Sequence, residues 1–417
     1  MAGEASADAA APAPAGAYAD LLEGVRVLDL TNVLSGPYAT YQMAMLGAEV
    51  IKVENPRGGD LARSLGAAPE LNAALMGTSF LAQNAGKKSV TLDLKSERGK
   101  ALFARLIESA DVLVENYRPR VMERLGFGWD RVRAINPAMV YCAISGFGQN
   151  GPLSANPAYD QIVQGYSGVM SVTGDARSAP LRVGYPLCDT LGGMGAAFAI
   201  ASALFRRERT GKGAWIDLSM LDSTVSAMGW AVSNYLIAGV EAQPIGNQNA
   251  TAAPSGAFRT ADGPLNIAAN KQEQFEALCD IAGRPDLKAD PRFARREARK
   301  ANREALNAIL EEALAARPAE EWEALLNAAG IPAGRILSVP QVLAHPQLAA
   351  RGLVQELPLG EAGLDSVRVV RAGYRLDDGQ PGARCAPPVL GADNAAIYGA
   401  LGVDAAELAD LEAGGVI

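Results

Sequence analysis

Histidine is nearly absent: the 417-residue chain has one, His345. Zinc hydrolases that need two or three imidazoles are thereby excluded. A Ser-His-Asp triad would have to recruit His345 from a loop-like Ala-His-Pro context. Cysteine is scarce as well. Cys142, Cys188, Cys279 and Cys385 lie 46, 91 and 106 residues apart, far from any metal-ligand or redox spacing, so they read as reduced thiols. Positive charge is in deficit, with 38 Lys and Arg against 46 Asp and Glu, a net −8. Such a surface gives no reason to approach nucleic acid or an anionic membrane. Any polyanionic ligand must be caught by a local cluster of cations and backbone N–H groups. No apolar run reaches the ~20 residues of a membrane span. The longest, 190–205 and 223–240, hold sixteen and eighteen residues and are diluted by glycine, alanine and serine. The first twenty residues are rich in alanine and proline with no Lys or Arg before Arg26, unlike a signal peptide. A disordered tail over residues 1–21 and a cytoplasmic address are therefore expected.

What is present points to an ordinary folded chain, 49% hydrophobic and 20% charged. At ~150 residues per domain its length predicts two or three domains, or one large domain with an insertion. From Gly24 onward, short apolar runs at 25–30, 49–53, 89–94, 111–115, 139–144 and 215–219 read as strands. Between them, 35–46 and 96–109 read as helices, and 221–237 as a long apolar helix after the last strand. This alternation predicts an α/β fold with a Rossmann-like parallel sheet. The texture changes near residue 242, where a hairpin turns at Ala261-Asp262-Gly263 and charged amphipathic helices follow at 272–281, 302–315 and 319–329. Strand-like sequence returns at 366–370. The expected division is a large domain over 22–240, a smaller inserted α+β domain over 241–340, and a return to the large domain over 341–417.

Two glycine motifs are decoys. Gly146-Phe147-Gly148-Gln149-Asn150-Gly151 matches G-x-G-x-x-G after a strand, but Pro152 and Pro157 interrupt the helix that a dinucleotide site requires. Thr210-Gly211-Lys212-Gly213 lacks the upstream glycine and the following Ser or Thr of a P-loop. Asp189 is more informative, a lone acid before Gly192, Gly193 and an alanine-rich helix. One reading makes it the helix N-cap. The other makes it a carboxylate nucleophile toward an activated acyl group, in a helix N-terminal field with glycines that admit a ligand.

Several segments, in order, are similar to the class III (CaiB/BaiF-type, formyl-CoA transferase-like) CoA-transferase family. They are Leu22-Glu23-Gly24-Val25-Arg26-Val27-Leu28-Asp29-Leu30-Thr31 with Leu34-Ser35-Gly36-Pro37, then Leu46 to Glu54 with Gly59-Asp60. Gly86-Lys87-Lys88-Ser89, Val114-Glu115-Asn116-Tyr117-Arg118-Pro119, the segment from Gly146 to Pro152, and Asp189 with its glycines follow. Thr210-Gly211-Lys212-Gly213 and the closing Pro-Pro-Val-Leu-Gly complete the set. The resemblance implies Asp189 as nucleophile, forming first an aspartyl–acyl anhydride and then an aspartyl–CoA thioester. That chemistry needs no metal, redox cofactor or imidazole, and coenzyme A enters as a substrate ester.

The same resemblance implies CoA contacts at Val33, Leu34, Ser35, Lys87, Asn116, Tyr117 and Arg124. Arg57 lies near a family arginine whose aligned site is filled by Asn55. A glycine-rich active-site loop corresponds to Gly246, Asn247 and Gln248. In racemases of this fold a histidine faces the aspartate; Tyr159 stands in its place, and a phenol is a poor base at neutral pH. Transfer is thus favoured over the alternatives, a 2-methylacyl-CoA racemase or a catalytically silent CoA-binding homologue. The small residues after Asp189 suggest a small acid acceptor, and Arg182 is a candidate partner for a second carboxylate, as in a C4–C5 dicarboxylate with succinyl-CoA as donor. The resemblance further implies an interlocked homodimer.

Overall fold

The computed structural model describes residues 20–377 and 379–417, so nearly all of the expected N-terminal tail lies outside the described residues. Six strands form one sheet: β1 (Arg26–Asp29), β2 (Glu49–Glu54), β3 (Lys87–Thr91), β4 (Val112–Glu115), β5 (Val140–Ser145) and β6 (Ala214–Ser219). Their order is β3-β2-β1-β4-β5-β6 and every pairing is parallel. The strands are apolar on both faces because helices cover both. Alternate residues of β1 show it. Leu28 joins Ile51 and Val90 against α2 (Glu97–Glu108), packing on Leu102, Phe103 and Leu106. Val27 joins Val50, Val112 and Val140 against α1 (Ser35–Met45), packing on Ala39 and Met43.

After β4 come the short helices α3 (Val121–Leu125) and α4 (Trp129–Ile135), and after β5 comes α5 (Asp160–Tyr166). The 24-residue α6 (Leu187–Thr210) lays Ala196 and Ile200 on the same core as α1, and Gly211 ends it at φ +69°. The single long helix expected after β6 is two helices, α7 (Met220–Ala227) and α8 (Trp230–Ala238). Gly229 breaks it at φ +53°, a left-handed conformation open to glycine.

The chain divides into two compact units, the first comprising residues up to Val169, Val183–Ala238 and Pro346–Ile417. The second comprises Met170–Arg182 and Gly239–His345, so the segment 170–182 belongs with the smaller unit and not with the large one as its sequence suggested. The second unit has an antiparallel sheet of β7 (Ser255–Arg259), β8 (Pro264–Ala268) and β9 (Ala333–Arg335). Helices α9 (Gln272–Ile281), α10 (Arg303–Leu314) and α11 (Ala319–Ala328) bury Phe275, Leu310 and Trp322 against Phe258 and Leu265.

The returning chain adds the hairpin β10 (Val354–Glu361) and β11 (Leu364–Val370), then α12 (Asn394–Ala400) and α13 (Ala405–Ala413). This segment finishes the first unit. Asp393 and Asn394 accept the N–H groups of Ser89 and Thr91 along edge strand β3, at 2.8 Å each. The Tyr398 hydroxyl donates to the Thr91 carbonyl at 2.8 Å. The four cysteines are free thiols, with Cys142, Cys188 and Cys279 buried.

Candidate active site

Strand order reverses direction between β1 and β4, and in open parallel sheets that switch point opens a crevice at the strands' carboxyl ends. Two loops meet there. The Asn116 side-chain amide, just past β4, accepts the Asn32 N–H and donates to the Asn32 carbonyl, both at 2.8 Å. Next to it Val33 sits at φ +66°, a conformation that β-branched residues avoid. α1 then starts with no side chain capping it, and the Ser35 hydroxyl is buried without a hydrogen-bond partner. The sheet thus brings Val33, Leu34, Ser35, Asn116 and Tyr117 to one place. Below them Glu115 accepts the Tyr117 N–H at 2.8 Å. Burial pushes the Glu115 carboxyl up to about 8, and burial together with Glu115 pushes the Tyr117 phenol up to about 12.

Lys87 corrects its expectation. Its ammonium is buried under α1, bonded to Asp29 at 2.9 Å, Thr40 and Asn84 at 2.8 Å and the Pro37 carbonyl at 3.1 Å. Its donors are committed inside the protein, and burial, against the pull of Asp29, lowers it to about 8. It is a structural cation and not one that reaches a ligand phosphate. Arg57 and Arg124 are exposed, on the loop after β2 and on α3 after β4.

α6 supplies the acid. Gly193 packs against α1 so closely that a Cβ there would lie 2.5 Å from the Ser35 carbonyl oxygen and 3.0 Å from the Tyr38 ring. Asp189 is one turn earlier, on the same side of the helix. The sequence reading of Asp189 as N-cap does not hold: α6 starts at Leu187, and Asp189 lies within its first turn.

The capping acceptor comes from another helix. Asp160 Oδ1 accepts the N–H groups of Cys188 at 2.8 Å and Asp189 at 3.3 Å. Gln164 holds the other oxygen at 2.7 Å and accepts the Val183 N–H at 2.9 Å. With its amide engaged, Asp189 keeps its own carboxylate for other work. Burial first, and the charge of Asp160 second, raise that carboxyl to about 7. In the sequence Asp160 is only the residue after Tyr159. Nothing in the spacing links it to a helix that starts 27 residues later. Tyr159 itself is 69% exposed.

Arg182, Gly246, Asn247 and Gln248 belong to the second unit. Arg182 is exposed. Gly246 takes φ +62° and donates to the Gly174 carbonyl at 2.7 Å. Asn247 accepts the Ala257 N–H at 3.2 Å, and Gln248 bridges to Gly256, so this loop is stitched to β7.

Residues 22–394 match the family model CoA-transferase family III. The chain is 42% identical to the acetyl-CoA:oxalate CoA-transferase of Acetobacter aceti, an alignment covering 87% of this chain and 92% of that protein. It is 38% identical to the succinyl-CoA:glutarate CoA-transferase of Mus musculus, covering 89% and 84%. The crystal structure of a CAIB/BAIF family protein from Brucella suis superposes with a TM-score of 0.80 at 34% identity, covering 91% of this chain and 99% of that one. A half-buried carboxylate in the first turn of α6, a sheet of this order and a family match across almost the whole chain agree: this protein belongs to CoA-transferase family III and is an acyl-CoA:carboxylate CoA-transferase.

Proposed function

We propose that the protein moves CoA from an acyl-CoA such as succinyl-CoA to a short dicarboxylate, with Asp189 as covalent carrier. The observation that supports this most is the setting of Asp189, a half-buried carboxylate raised to about 7 by burial and Asp160. In the first step an Asp189 oxygen attacks the thioester carbonyl, the C–S bond breaks, and CoA leaves as thiolate. The thiolate attacks the aspartyl carbonyl of the anhydride, releasing the donor acid and leaving an aspartyl–CoA thioester. The acceptor carboxylate repeats the sequence in reverse. No proton is gained or lost overall.

Each covalent state replaces the Asp189 anion with a neutral anhydride or thioester. A site that disfavours the anion through burial and a nearby carboxylate therefore favours the covalent states relative to the resting enzyme. Val33, Leu34, Ser35, Asn116 and Tyr117 form the CoA-binding turn in this reading, with Arg57 and Arg124 as exposed cations for its phosphates. The acceptor class draws on the relatives, whose names specify oxalate and glutarate, both dicarboxylates. The test is a panel of C2–C6 mono- and dicarboxylic acids with succinyl-CoA, read by mass spectrometry of the CoA esters. Dicarboxylates are expected to give new esters, and hydroxylamine added during turnover should modify Asp189. Exchange with monocarboxylates alone overturns the acceptor class; turnover with Asp189 never modified overturns the carrier.

We also propose a homodimer with interlocked chains. A single chain leaves Phe198 of α6 and Trp230, Leu236 and Ile237 of α8 74–86% exposed, and monomers rarely expose apolar side chains in such groups. Analytical ultracentrifugation at nanomolar concentration should give about 87 kDa, twice the 43.4 kDa chain. A 43 kDa species would overturn the assembly.

A further inference from the structure

The strained turn at Val33 is gripped by two side chains that the reaction does not use. Lys52 of β2 donates to the Thr31 carbonyl at 2.7 Å, and Asp60, past β2, accepts the Val33 N–H at 2.9 Å. The two side chains pair at 3.0 Å and neither has any solvent exposure. Asp60 also accepts the Ala62 N–H at 2.9 Å, and its own N–H donates to Glu54 at 3.0 Å, so its orientation is fixed on several sides. Burial opposes the charge on Lys52, yet Asp29, Asp60 and Glu54 around it hold the ammonium well above its usual value.

Such a pair is a poor device for stability alone. Burying two charges costs about as much as their attraction returns, and an apolar pair of similar volume serves a core as well. An apolar pair cannot accept the Val33 N–H or donate to the Thr31 carbonyl. Strained backbone held by its surroundings is characteristic of ligand-binding positions. What the turn presents is consistent with that use: an α1 N-terminus without a side-chain cap, and a Ser35 hydroxyl, 2% exposed, with no partner.

We propose that Lys52 and Asp60 are positioning residues that hold the Val33 turn ready-shaped as the seat for acyl-CoA. The proposal rests on the reading above that residues 33–35 contact acyl-CoA. Pre-forming the turn removes the ordering cost from the binding step.

Asp60→Ala should raise the KM for succinyl-CoA about tenfold with kcat within about threefold. Asp60→Asn keeps an oxygen for the Val33 N–H but turns an amide N–H toward Lys52, and should restore part of the loss. A purely structural role would move neither the KM-against-kcat split nor its rescue. Hydrogen exchange without ligand should show the Val33 amide faster in Asp60→Ala while the amides of β1 stay protected. If Asp60→Ala does not fold, Lys52→Gln is held to the same thresholds. A folded variant with unchanged KM and unchanged Val33 exchange overturns the positioning role. Calorimetry with CoA separates the two readings. A wild-type protein that binds no CoA brings down the seat and the functional reading together. Equal binding by wild type and Asp60→Ala brings down the positioning role alone.

Discussion

Asp189→Asn is expected to lower CoA transfer by on the order of 10⁴-fold or more, the usual consequence of removing a covalent carrier. The same substitution should make the protein more stable above neutral pH. A carboxyl raised to about 7 in the fold, against an ordinary 3.8, holds its proton more tightly folded than unfolded. Well below pH 3.8 both states are protonated and the residue is neutral for stability. Between pH 4 and 7 the unfolded state loses its proton first, so folding is progressively penalised, and the penalty is complete above 7. Asparagine removes it. The gain should be roughly 2–4 kcal/mol at pH 8 and shrink to about half a kcal/mol at pH 4, measured as the urea midpoint of each protein at each pH. Equal midpoints at pH 8 would show that the resting carboxylate carries no such penalty.

The acid limb of kcat/KM follows from the same carboxyl. Transfer should rise with pH through about 7 as the nucleophile ionises. Asp160→Asn keeps an acceptor for the Cys188 and Asp189 N–H groups but removes the neighbouring charge. The limb should then move to lower pH with α6 still capped. An unmoved limb would assign Asp160 to capping alone.

The largest loss of stability is expected at Arg63, whose side chain is fully buried. Its guanidinium forks onto Glu54 with two bonds of 2.7 Å and donates to the Pro388 carbonyl at 3.2 Å. It lies 3.7 Å over the Phe80 ring. Arg63→Ala leaves the Glu54 carboxylate buried without this partner, a change that costs about 3–5 kcal/mol. Arg63→Lys should rescue little, since a point charge cannot make the fork. Chemical denaturation and proteolysis of the segment near Pro388 both report it. A loss under about 1 kcal/mol would mean that the cluster relaxes around the gap.

The six parallel strands were legible because each is a short apolar run between amphipathic stretches, a local property. So were the second unit's hairpin and α9, which spans the residues expected. What failed was non-local. The resemblance implies Lys87 as a CoA contact, and only Asp29, Thr40 and Asn84, up to 58 residues away, turn it inward. β3 accordingly starts at Lys87 and not at residue 89. The segment 170–182 changes unit with no change in composition to mark it. Asp189 stood out as a lone acid among small residues, but the acid that caps its helix did not. Asp60 was visible only as part of a Gly-Asp pair, with nothing to show that it reaches back to Val33.

The bonds from Asp393 and Asn394 to β3 have a consequence during synthesis. Strand β3 leaves the ribosome some 300 residues before the side chains that occupy its outer amides. Val416 and Ile417 belong to the core that α2 packs on. Throughout elongation the nascent sheet carries an open edge, the feature through which partly made chains pair with one another. Chains that stop before residue 393 should accumulate as aggregates or on chaperones, so the yield of folded protein depends on how quickly translation reaches its last stretch.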